Sequence, residues 1–262
     1  MCIRDRHCSG LERSKNVGTY FIDLYLCGLA AGGVTKTNSI GYVAAHPISE
    51  VIRHINAFTI GVREVNPNAK VYVIWIHDWY NPPKARDAAE TLMSPPYNCD
   101  VLAFTEDSPT VLEVAQEKGG YSFSHYSDMS EYGPDAHLTG QIVNWGVQYE
   151  EILSQIRAGI WTPKEWWWTM DDPEPSDQIS VPRAADIILP VSEKVPEGVR
   201  NLILERRQQM IDPDIPFSPF TGPIRDQAGN VRIPAGKRAT HHDLLYMDYF
   251  VEGVVGLSLI HI

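Results

Sequence analysis

Val71-Tyr-Val-Ile-Trp-Ile-His-Asp-Trp-Tyr-Asn-Pro82 decides how the chain is read. Val71 to Ile76 is an unbroken apolar run rich in β-branched residues. It shows no polar alternation, so it reads as a strand covered on both faces, as in a parallel sheet. The run stops at His77-Asp78-Trp79-Tyr80-Asn81-Pro82, where rings, a carboxylate and an amide crowd onto the loop beyond the strand's carboxyl end. Ligands of open α/β sheets sit outside such ends. The loop is therefore expected to form one wall of a small-molecule site.

Outward from this stretch the pattern repeats. Ile40 to Ala45 reads as a short strand. Pro47 opens a helix with apolar Val51, Ile55, Phe58 and Val62, closed by Asn66-Pro67-Asn68. Lys84 to Leu92 is helical, Asp100 to Phe104 is a buried strand, and Ser108-Pro109 starts a helix closed by Gly119-Gly120. Tyr121 to His125 is the next strand. Residues 40–128 thus alternate strand and helix, which means right-handed crossovers, a parallel sheet and helices on both faces. Four loops converge on one edge: Ala44-Ala45-His46, His77 to Asn81, Thr105-Glu106-Asp107 and Tyr126-Ser127-Asp128.

The flanks are plainer. Gly18 to Gly33 is apolar on nearly all faces and reads as a buried helix with a left-handed cap at Gly32-Gly33. The Val34-Thr-Lys-Thr-Asn-Ser39 that follows is no phosphate loop, because Val34-Thr35 separates Gly33 from Lys36. Gln141 to Ala158 reads as an amphipathic helix, Glu165 to Thr169 as a strand and Asp171 to Ser180 as a loop or lid. Pro196 to Ile211 and His241 to Val251 read as helices, with a turn at Asp226 to Asn230 before a strand at Val231 to Ile233. Both ends, residues 1–7 and 257–262, resemble sequencing-adapter read-through and are set aside; short genuine tails are the alternative.

Composition narrows the function. The chain has 262 residues and a net charge of −11, whereas a nucleic-acid polymer or an anionic membrane surface calls for a basic footprint. No apolar run is long enough to span a bilayer. Cys2, Cys8, Cys27 and Cys99 match neither a metal pattern nor a disulfide framework. His241-His242-Asp243 has no ligand spacing, since adjacent residues do not share a helix face. No metal or cofactor is called for.

Each candidate residue carries two readings. Trp79 stacks a planar ligand or seals the sheet end. Asp128, beside Ser127, accepts from a ligand or from its own turn. Glu106 and Asp107 face a ligand or favour the amino end of the next helix. His77, His125 and Asp128 are conceivable acid–base groups, but no nucleophile with its base is apparent.

Several segments resemble the basic membrane protein (BMP) family of ABC-transporter substrate-binding proteins. They are Asn16-Val-Gly-Thr-Tyr20, Gly28-Leu-Ala-Ala-Gly32, Lys36-Thr-Asn-Ser-Ile-Gly-Tyr-Val43, Asn56-Ala-Phe-Thr-Ile-Gly61, Val65-Asn-Pro-Asn68 and Trp79-Tyr-Asn-Pro-Pro-Lys84. Tyr126-Ser-Asp-Met129, Phe220-Thr-Gly-Pro-Ile224 and Met247-Asp-Tyr-Phe-Val-Glu-Gly253 complete the set, which weakens at about 171–195. The resemblance implies a type 1 periplasmic-binding-protein fold, in which two doubly wound α/β lobes joined by a hinge close on a purine nucleoside or nucleobase. It implies a non-enzymatic receptor for an ABC permease, periplasmic or held at the cell surface by a lipid anchor. Among relatives, the nucleobase binders look nearest, adenine in particular.

By the same resemblance Trp79 is the aromatic against the purine, Ser127-Asp128 the polar anchor near the hinge, and Glu106 and Asp107 the loop beside the base. Asn144 and Trp145 stand where ribose-binding relatives carry basic residues, which favours a bare base. Asn81 replaces the usual Asp before Pro82. The family also has further residues before Asn16, so the first lobe is expected to be incomplete and the signal segment missing. The expected division is 8–39 as a remnant of the first lobe, 40–128 as the second lobe, 129–165 as the return to the first and 166–256 as the segment completing lobes and hinge. The helix at 19–33 is then expected to lack its covering sheet, leaving the chain poorly stable. The competing reading is a nucleoside hydrolase using Asp128 or His125.

Overall fold

A computed structural model describes residues 21–162, 185–212, 214 and 217–259. The expected strand at 165–169 with its three tryptophans and the expected loop at 171–180 lie outside the described residues, as do residues 1–7.

Helix α1 (Phe21–Val34) leads into β1 (Ser39–Ala44), α2 (Ser49–Val65), β2 (Lys70–Trp75), α3 (Pro82–Met93), β3 (Val101–Thr105), α4 (Thr110–Lys118) and β4 (Ser122–Ser124). β1 lies between β2 and β3, parallel to both. A parallel bridge from Val101 to Tyr121 carries the sheet on to β4. The β-branched and aromatic runs are therefore strands, as the alternation requires.

The pleat sorts side chains to two cores. Ile40, Tyr42, Ala44, Val101 and Ala103 pack beneath α1 and α2. Val43, Leu102 and Phe104 pack on the other face against α3 and α4, through Ala85, Ala89, Leu92, Val111 and Leu112. Helices on both faces are what the sequence predicted. Gly119 has φ 73° and closes α4 in the left-handed conformation read from its sequence.

β5 (His137–Val143) runs parallel to β4, and β6 (Ala185–Ile187) antiparallel to β5. The sheet thus continues past residue 128. The helix predicted from Gln141 starts instead at Trp145, as α5 (Trp145–Arg157), because Gln141 to Val143 pair with β6. α6 (Glu197–Ile211) packs against α1. Past α6 lie the ribbon β7 (Ile224–Arg225) and β8 (Val231–Ile233), the short α7 (His241–Leu245) and β9 (Val254–Val255), which pairs with β2. α7 stops well short of the predicted Val251.

Three further expectations give way. α1 is not stripped of cover: Leu24, Tyr25, Leu26, Cys27, Leu29, Ala30 and Ala31 are buried in the core shared with β1, β3 and α2. Gly32-Gly33 is not a cap, since the helix continues to Val34; Gly32 serves close packing on α2. β2 is only half-covered from Tyr72 to Trp75, because its outer neighbour β9 is two residues long.

The turn before β1 is pinned at the sheet's amino edge. Asp100 accepts from the backbone N–H of Lys36 (2.6 Å) and Thr37 (3.2 Å) and from the Thr35 hydroxyl (2.7 Å). That is the structural role of the segment rejected as a phosphate loop. Near the end of the described chain the Trp75 indole N–H donates to the Leu257 carbonyl at 2.8 Å.

Candidate functional site

Five parallel strands, β1 to β5, deliver their carboxyl ends to one edge, and the candidate residues lie there. After β2 the chain continues to pair, the N–H of Ile76 and of His77 donating to Ala44 and Ala45 carbonyls at 2.9 Å each. His77 then turns with φ 57°. Asn81 caps α3: its side-chain oxygen accepts from the Lys84 N–H at 3.2 Å, and Pro82-Pro83 fits the first turn. This keeps a capping acceptor at the position where the family resemblance leads one to expect Asp. Asp78 accepts from Lys84 Nζ (2.6 Å) and Asn81 Nδ2 (3.0 Å), and these hydrogen bonds hold its carboxyl below the usual range.

Trp79 is half-buried, its indole tilted against the His46 imidazole with ring centroids 5.2 Å apart. Its carbonyl accepts from the Asp107 N–H at 2.6 Å, so the loops after β2 and β3 are joined across the end of β1. Glu106 is fully buried and accepts from the Ser108 N–H (2.9 Å) and hydroxyl (3.0 Å). Burial pushes its carboxyl up to about 7, against the opposing pull of the Ser108 bonds.

Beyond β4, His125 is buried and Tyr126 stacks on it at 3.8 Å between centroids. The Tyr126 hydroxyl donates to Glu50 Oε1 at 2.9 Å, and the Trp145 ring stands edge-on to Tyr126 at 5.9 Å. Ser127 and Asp128 are exposed. Asp128 accepts from the Ser130 N–H at 2.9 Å, which holds its carboxyl below the usual range. Asn144 and Trp145, both half-buried, begin α5.

The structure therefore gathers Trp79 with Asp107, and Trp145 with Tyr126, at one edge. Asp128 takes up the turn role, and Glu106 sits beneath the edge. The acid–base partners considered for a hydrolase are separately engaged, His125 under Tyr126 and Asp128 by its own turn. His46, Glu50 and Tyr126 were not singled out from the sequence. Their signal was positional, since His46 and Tyr126 stand on two of the four convergent loops. Asp243 completes a capping box with Thr240 at the start of α7, which explains that carboxylate without a metal.

A cavity of about 500 Å³ lies elsewhere, between the loop after β6 and α6, lined by Leu189, Pro190, Val191, Arg200, Asn201 and Leu204. Ser192 bonds the Leu138 carbonyl at the amino end of β5, which places this cavity at the opposite edge of the sheet.

Comparison with known proteins agrees with this architecture. A purine-binding protein of Brucella abortus is 29% identical over 256 residues, covering 96% of this chain and 69% of that protein. A putative ABC transporter glucose-binding protein of Haloferax volcanii is 37% identical over 169 residues, 63% of this chain and 43% of that protein. An ABC transporter solute-binding protein of Conexibacter woesei has the same fold at 17% identity, with a TM-score of 0.56 over 76% of this chain and 63% of that one. The fold is that of periplasmic binding proteins. The family model described as ABC transporter substrate-binding protein, PnrA-like, matches residues 9–174, more than half of the sequence, and the chain belongs to that family.

Proposed function

We propose that the protein is the receptor of an ABC importer for a purine nucleobase, adenine in first place, held between two lobes and handed unchanged to a permease. The observation that carries the reading is the half-buried indole of Trp79 at the carboxyl edge of a parallel sheet, braced by His46 and tied to the β3 loop. An indole face there suits a flat heterocycle, and loop groups such as Asp107 and Asn144 offer hydrogen bonds to its rim. The name of the Brucella relative supports the purine class. Ser127 and Asp128 stay the polar anchor of this reading, Asp128 bonding its own turn as well, and Asn144 and Trp145, in the place of basic residues, favour a bare base. The receptor works in the periplasm or at the cell surface on a lipid anchor, with no enzymatic step.

A sugar is the second reading, favoured by the glucose-binding name of the Haloferax relative. Calorimetric titration with adenine, guanine, adenosine and glucose separates the two. Heat with adenine and none with glucose is the expected result; the reverse pattern overturns the purine assignment. A third outcome, release of ribose from adenosine on incubation, would instead point to the hydrolase.

A further inference from the structure

A tyrosine with left-handed backbone stands at the site edge. Tyr126 has φ 62°, a conformation that an aromatic side chain rarely takes and that tends to mark functional positions. The conformation is held from several directions. The ring stacks on His125, the phenol donates to Glu50 at 2.9 Å, and the backbone carbonyl accepts from Val143 at 3.0 Å. Trp145 and His54 meet the ring edge-on at 5.9 and 6.4 Å.

Glu50 ties this corner to Trp79. It lies in the first turn of α2, four residues after His46, whose ring contacts Trp79. One short segment, 46–50, therefore touches both aromatic corners. Trp79 is bonded to the loop of β3 and braced from the end of β1, while Tyr126 follows β4 on the far side of β3. β1 and β4 are two strand spacings apart, or about 10 Å. A heterocycle that rests on Trp79 and extends over the end of β1 toward β3 would approach the tyrosine from that side.

We propose that Tyr126 is a second ligand-contacting and specificity-determining ring of this site, and that Glu50 is its positioning residue. The inference rests on the ligand-binding reading above. It differs from that reading in moving the β4-side contact from Ser127-Asp128 to Tyr126.

The test is calorimetric titration of the whole chain with adenine and with glucose, using Tyr126→Ala, Tyr126→Phe, Glu50→Gln and the Tyr126→Phe/Glu50→Gln pair. Tyr126→Ala is expected to weaken adenine about tenfold. Tyr126→Phe keeps the ring and is expected to lose about threefold, as is Glu50→Gln. The pair should lose no more than either alone, because both remove one hydrogen bond. Should Tyr126→Ala fail to fold, this non-additivity decides. Adenine binding unchanged in Tyr126→Ala but lost in Trp79→Ala overturns the proposal and leaves the purine reading intact. If the unaltered chain takes glucose alone, the purine reading falls, and the tyrosine is then judged by whether Tyr126→Ala weakens glucose. Binding of neither ligand overturns both.

Discussion

Trp79 and Glu106 sit two loops apart and work through different physics. Base–aromatic stacking is worth about 1–3 kcal/mol by alanine substitution. Trp79→Ala is therefore expected to weaken adenine about 5- to 150-fold and Trp79→Phe far less, read by titration calorimetry. Glu106 acts on stability through its proton. Its folded carboxyl titrates at about 7 against an ordinary value of 4.5, because burial disfavours the charged form. The unfolded chain gives up this proton more readily, so the contribution is fully present below about pH 4.5. It is lost as pH rises through about 7. Glu106→Gln is expected to gain melting temperature over the parent as pH increases across that window, a gap absent at pH 4.5. A difference that does not change with pH would show that the Glu106 carboxyl titrates alike in the folded and the unfolded chain. At this scale the sequence revealed the loop positions but not their roles. The choice between Asp128 and Tyr126 depends on a backbone angle and on Glu50, 76 residues distant in the chain.

The pairing of α1 with α2 depends on having no side chain at three positions. A Cβ at Gly28 would lie 2.0 Å from the Phe58 carbonyl oxygen, one at Gly61 2.1 Å from that of Tyr25. One at Gly32 would lie 2.5 Å from that of Val62. Gly61→Ala improves helix propensity by at most about 1 kcal/mol, whereas forcing two backbones apart costs about 1–3 kcal/mol or more. The clash with rigid backbone wins, and a melting midpoint lower by several degrees is expected. Asn56 has a comparable part. Buried in α2, it donates to the Tyr249 carbonyl (2.8 Å) and accepts from the Val251 N–H (2.9 Å). Two resembling segments, 56–61 and 247–253, are thereby joined. Asn56→Ala strands two backbone groups at about 1–3 kcal/mol each. Urea midpoints should fall accordingly while the denaturant slope stays unchanged. Strands β1 to β3 were legible because each is a largely apolar run bounded by turn residues, and the short β4, Ser-Phe-Ser, from its place in the alternation after Gly119-Gly120. β5 was not, since Gln141 to Val143 owe their strand state to β6, more than 40 residues later.

The whole molecule shows a contrast between its two ends. The doubly wound part carries a core on each face of its sheet, and α1 is sealed within it, so the expected weakness of that helix does not arise. α5 is different: Tyr149, Leu153 and Ile156 are about half exposed, and Ile160 beyond the helix is 67% exposed. The spacing of four and three places Tyr149, Leu153 and Ile156 on one stripe of α5. Large contiguous apolar surface is a liability in a free chain. The net charge of −11 opposes association but is spread over the molecule, while the stripe is local. Short-range burial should win once salt screens the charge, at roughly 10 Å screening length in 0.1 M salt. The chain is therefore expected to unfold cooperatively and yet to self-associate with rising ionic strength. Leu153→Glu with Ile156→Lys should abolish the association in sedimentation velocity and leave the melting curve unchanged, because neither side chain is part of a core. Association that persists in this double variant would move the sticky surface elsewhere, to the exposed rim around Leu189 and Leu204.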